Sequence, residues 1–228
     1  MPLPSRSGPG LRWATPALFA LLWLAFLWLT TRDAAVRDAL LGNWGALSGD
    51  LATPGDWLQA ARDGRSLRLL SALFLHADWA HLIGNLVFLL IFGLPAERAM
   101  GSWRFLLLFL LGGAVANLVA VLVMGTPDRL LIGASGAVAA VIGAYLALFP
   151  RARLGVVLPL GLFLQFVRAP ASLLIGLWAL LQVVFAYIGP AFGTVAWSAH
   201  LGGFGFGMAF ALAERAAIAR LMRKRSGY

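Results

Sequence analysis

Residues 154–167 read Leu-Gly-Val-Val-Leu-Pro-Leu-Gly-Leu-Phe-Leu-Gln-Phe-Val, with Arg151 and Arg153 before them and Arg168 after. Whether this run crosses a membrane decides the topology of everything that follows it. A helix needs roughly 20 apolar residues to traverse the hydrocarbon core. This run has 14, and Gly155, Pro159 and Gly161 interrupt it. It is therefore expected to be a re-entrant or interfacial connection rather than a crossing. If it did cross, the polar residues before and after it would finish on opposite membrane faces.

On either side of this run, hydropathy marks six apolar segments, at 13–29, 81–94, 103–124, 132–149, 171–188 and 198–212. Gly, Pro or charged residues bound each of them. The whole 228-residue chain is 61% hydrophobic and 12% charged, where a soluble domain has about half and about a quarter. Its mean hydropathy is +0.86. The expected fold is all-α: a polytopic membrane protein with a bundle of six transmembrane helices. It is read as one membrane domain, residues 1–228, with a core from about 11 to 212 and a short basic tail at 213–228. The first segment exceeds a signal-peptide h-region and no small-x-small cleavage site follows it, so it is read as a retained span.

Charge sorting supports six crossings without reference to any motif. With the N-terminus cytoplasmic, 12 of the 18 Lys and Arg fall inside and 6 outside, the bias that sets orientation in membranes. Both termini are then cytoplasmic. The net charge of +9 does not point to nucleic acid, because the basic residues are scattered between apolar runs and cluster only from Arg220 to Arg225. With no cysteine there is no disulfide framework, thiolate metal site or cysteine nucleophile. Residues 30–80 form the longest polar segment, on the outer side, where 33–41 and 56–62 have helix-like spacing with an Asp near the start.

Polar side chains within a membrane are costly and mark function by default. In this sequence they are few and concentrate in three places. Gly133-Ala134-Ser135-Gly136 opens the fourth span; two glycines beside a serine permit close approach, and a helix N-terminus favours developing negative charge. Alone, it reads first as a small-residue packing face. His200 stands near the start of the last span, followed by Gly203 and Gly207, a stripe that lets another helix come close. Alone, such a histidine is more often a helix-to-helix hydrogen bond than a base. His81 and Asn85 are one helical turn apart on one face, with His76 before them. They suit an oxyanion hole or polar glue equally. A zinc site would need His76, His81 and His200 to converge, and no H-E-x-x-H is present.

Topology joins these motifs. In the six-span arrangement the second, fourth and sixth helices all start at the outer face, which sets His81 with Asn85, Ser135 and His200 at similar depth. Glu97 and Glu214 lie at the other face, so no acid completes a triad and the expected unit is a Ser-His dyad.

From about residue 11 to 212 the sequence resembles the rhomboid intramembrane serine proteases. That family carries its nucleophile in Gly-x-Ser-Gly, matched by Gly133 to Gly136, and its base in Ala-His-x-x-Gly, matched by Ala199 to Gly203. Its His-x-x-x-Asn matches His81 and Asn85, its preceding histidine His76, its following acid Glu97 and its loop arginine Arg68. Two positions depart: Leu67 replaces an aromatic before the loop arginine, and Ala139 replaces an aromatic that stacks on the catalytic histidine in some members. The resemblance implies a bacterial inner-membrane endopeptidase with Ser135 as nucleophile and His200 as base. Asn85 and His81 would serve as oxyanion donors, single-span transmembrane proteins as substrates, and no metal or other cofactor is implied. A non-proteolytic rhomboid-like binding protein is the alternative. A transporter would show repeated halves, and none is seen.

Overall fold

The computed structural model describes residues 12–51, 53–123, 129–160, 163–188 and 196–226. Leu11 and Met124, the expected start of the core and end of the third span, lie outside the described residues.

The chain begins with α1 (Ala14–Thr30), then α2 (Ala34–Trp44), a two-residue strand β1 (Ala46–Leu47), α3 (Pro54–Arg62) and the short α4 (Arg68–Ser71). Both helices expected in the long polar segment are present, and their starts have local causes. The Asp33 side chain accepts from the N–H of Val36 at the start of α2. At α3, Thr53 and Asp56 form a reciprocal capping box, satisfying donors that a helix leaves unpaired at its N-terminus. The Thr53 hydrogen bonds hold the Asp56 carboxyl below its ordinary pKa.

Next come α5 (Trp79–Phe88), a π-helical turn at Leu89–Gly93, and α6 (Leu94–Met100). The three run on as one apolar helix, Trp79–Met100, longer than the expected span at 81–94. The wide turn lies just before Pro95, whose missing N–H and ring would disrupt a continuous α-helical ladder. α7 (Ser102–Val123) is followed by β2 (Leu130–Leu131), which pairs antiparallel with β1, and by α8 (Ser135–Leu148). With 14 residues, α8 is only about 21 Å long, less than the roughly 30 Å of a hydrocarbon core. It is enclosed by protein: residues 136–145 are all buried. A central helix that faces neighbours rather than lipid has no need to span the full thickness, and its first residue, Ser135, is correspondingly sunk into the bundle.

The run at 154–167 is a β-hairpin. β3 (Arg153–Leu160) pairs antiparallel with β4 (Phe163–Pro170), from Arg153 opposite Pro170 to Leu160 opposite Phe163. The hydropathy pattern does not point to either strand, and a hairpin is compatible with a connection that does not cross. A two-stranded ladder leaves the outer N–H and C=O groups of both strands unpaired, which hydrocarbon does not tolerate. The N–H of Ala171 also donates to the Ala152 carbonyl at 2.8 Å. The hairpin therefore returns the chain to the place it left, and α9 (Ala171–Ile188) starts beside the end of α8. α10 (Trp197–Ala213) then runs along α8, and α11 (Arg215–Ser226) bends away from it by 58°.

Among the described residues six apolar helices thus make up the bundle, with α5, its π turn and α6 counted as one. The core surrounds α8, where Phe105, Leu108 and Phe109 of α7, Leu82 of α5 and Leu89 of the π turn are fully buried.

Candidate active site

Ser135 is held by the turn that delivers it. Gly133 adopts φ +112°, a conformation that costs glycine little and other residues much. Its N–H donates to the Ala72 carbonyl at 2.8 Å, and a Cβ there would run into the ring of His81. Only a glycine fits, both in torsion and in space. The next N–H, of Ala134, donates to Nε2 of His76 at 3.4 Å.

His200 is brought to Ser135 by glycines. A Cβ on Gly203 would collide with the Gly136 carbonyl oxygen, one on Gly207 with that of Ala140, and one on Gly143 of α8 with that of Phe204. The two backbones are therefore in contact along their length, and one turn before Gly203 the Ser135 hydroxyl lies 2.9 Å from Nε2 of His200. The other ring nitrogen, Nδ1, is 2.6 Å from Oε1 of Gln182 on α9. Trp197 meets the ring edge-on at a centroid distance of 5.9 Å, and Trp178 lies 6.4 Å away at a tilt of 31°.

Asn85 and His81 face the same space. One cavity is lined by His81, Asn85, Ser135, Ala139, Trp178 and His200, among others. The Asn85 amide donates to the His81 carbonyl at 3.0 Å and lies 3.2 Å from Nε2 of His76. Because the Ala134 N–H can only donate, Nε2 of His76 is an acceptor, and the Asn85 amide N–H fits as its second donor. His76 is 1% exposed and packs edge-on against His81, ring centroids 5.0 Å apart. It thus supports both the Asn85 side chain and the turn before Ser135.

The four site residues expected from the sequence share this cavity. Glu97 is elsewhere, as expected: its fully buried carboxylate accepts the N–H groups of Ala14 and Thr15 at 2.8 and 2.9 Å and the Ser102 hydroxyl. Glu214 pairs with Arg104 at 2.9 Å. Arg68 opens α4, whose neighbour Leu69 is tied by its carbonyl to the Asn117 side-chain amide at 2.9 Å. Intramembrane polar groups extend beyond the three places where the sequence concentrates them. Asn117 on α7 and Gln182 on α9 are both buried, and each was visible as a polar residue in an otherwise apolar segment. Among the described residues, no group of three or more His, Cys, Asp or Glu is arranged to hold a metal ion.

Comparison with known proteins gives a consistent result. The family model of the rhomboid domain matches residues 63–216, more than half of the chain. YdcA of Bacillus subtilis, whose name places it with the rhomboid proteases, is 32% identical over 131 residues, 57% of this chain and 58% of that protein. The rhomboid protease GluP of Bacillus subtilis is 32% identical over 139 residues, 60% of this chain and 25% of that protein. Rhomboid-related protein 1 of Caenorhabditis elegans is 37% identical over 95 residues, 41% of this chain and 26% of that protein. The chain thus spans from a quarter to somewhat over half the length of these relatives.

Proposed function

Because the chain belongs to the rhomboid family of integral membrane proteins, which includes intramembrane proteases, we propose that it is a serine endopeptidase. Its substrates are single-span transmembrane proteins, cut near the outer membrane face. The observation that carries this reading is the 2.9 Å contact between Ser135 Oγ and His200 Nε2 in a cavity shared with Asn85 and His81.

In the proposed reaction His200 Nε2 takes the hydroxyl proton as Ser135 Oγ attacks the scissile carbonyl, and the imidazolium then returns that proton to the leaving amine. The oxyanion forms opposite the Ser135 backbone N–H, His81 and Asn85. Asn85 meets it by releasing one of its two internal hydrogen bonds, to the His81 carbonyl or to His76. Water entering from the outer face, activated by His200, resolves the acyl-enzyme. The excess of Lys and Arg in the segments assigned to the inner side supports an orientation with both termini cytoplasmic.

The test uses purified protein in detergent with a generic single-span substrate, comparing the unmodified chain with Ser135→Ala. Cleavage by the former alone supports the proposal. A preparation that binds the substrate without cleaving it would indicate a non-proteolytic binding protein instead.

A further inference from the structure

We infer that Gln182 is a positioning residue: it orients His200 and selects the tautomer that can accept the proton of Ser135. This inference rests on the serine-protease reading above. A neutral imidazole carries one N–H and one lone pair, and only the form with the lone pair on Nε2 can serve Ser135 as a base. The alternative tautomer points an N–H at the hydroxyl and is inert. Oε1 of Gln182, 2.6 Å from Nδ1, is a carbonyl oxygen and can only accept. It therefore places the proton on Nδ1 and leaves the lone pair on Nε2, 2.9 Å from the hydroxyl.

The same amide has its other end accounted for. Nε2 of Gln182 donates to the Trp178 carbonyl one turn earlier at 3.4 Å, which favours the assignment of oxygen to the His200 side. Gln182 is 6% exposed and lies mid-helix in an otherwise apolar stretch. An amide in that setting is costly unless paired, and its short bond is to His200. The helix that carries the serine offers nothing comparable: in the shared cavity α8 contributes the buried methyl of Ala139. In this chain orientation comes from α9, through an uncharged acceptor that avoids burying a carboxylate.

Three variants test this. Gln182→Met keeps the length and removes the acceptor, and Gln182→Asn keeps an amide but withdraws it by one methylene. Gln182→Glu keeps an acceptor oxygen, ionised or protonated, and when ionised loses the donation to Trp178. Met and Asn should lower kcat for a single-span substrate about tenfold to a hundredfold, the scale of a mispositioned reacting group, with KM within about twofold. Labelling of Ser135 by a fluorophosphonate probe should slow in parallel. Glu should recover most of both rates. Wild-type rates in Met and Asn would overturn the inference. So would equal losses in Met, Asn and Glu accompanied by lower melting temperatures, which mark a merely structural amide. Cleavage persisting in Ser135→Ala would instead refute the protease reading itself.

Discussion

Gly203 of α10 rests against the backbone carbonyl of Gly136 in α8, with no room between them for a Cβ. Gly136 follows Ser135 and Gly203 lies one turn after His200, so this contact sets the distance between the Ser135 and His200 side chains. Gly203→Leu should force the helices apart, and a displacement of about an ångström can cost a hundredfold in rate. Cleavage should collapse and the melting temperature should fall, because close packing holds membrane helices together. Gly205, with nothing within 4 Å of a Cβ, provides the control: Gly205→Ala should keep both. Full activity in Gly203→Leu at an unchanged melting temperature would refute the close-packed arrangement.

Ser135→Ala should abolish cleavage and His200→Ala should nearly do so. The two act as a unit, so the double variant should be no worse than the worse single one. Turnover of a single-span substrate by the three proteins measures this, and a clearly additive loss in the double variant would count against a shared step.

Asn85→Ala should lower kcat by about two to three orders of magnitude with little change in KM, the range for loss of one oxyanion donor. His76 keeps the Ala134 N–H as a partner in this variant, so the turn before Ser135 should persist. Unaltered turnover would reassign Asn85 to a structural role.

Glu97→Ala should destabilise the bundle while sparing chemistry. It removes the acceptor for the first N–H groups of α1, and each buried donor left unpaired costs about 1–3 kcal/mol. The expected result is a lower melting temperature with kcat per folded molecule unchanged; Glu97→Gln, which retains one acceptor oxygen, should fall between. A selective loss of kcat at normal stability would contradict this assignment.

Much of the molecule was legible in the sequence because lipid imposes strict rules. A chain in hydrocarbon must satisfy its backbone internally, so apolar runs of sufficient length read as helices, and the few polar residues within them stand out. Ser135, His200, Asn85 and His81 stood out in this way; outside the apolar runs, Asp33 marked the start of α2, and Asp56 marked α3, which begins two residues earlier at Pro54. The hairpin at 153–170 was not, because a short apolar run has no periodicity that separates strand from connection. Gln182 was passed over because one amide in an apolar helix does not reveal what it faces.

The sequence by itself determined the class of fold, the six apolar segments and the residue types available for chemistry, since these follow from hydropathy, charge and local spacing. Only the tertiary structure decided which of those residues meet. Ser135 and His200 are 65 positions apart, and their contact depends on two glycine-lined backbones touching along α8 and α10. Gln182 reaches His200 because the hairpin sends α9 back from the end at which α8 finishes. Such distances are set by the packing of whole helices, which no local pattern encodes.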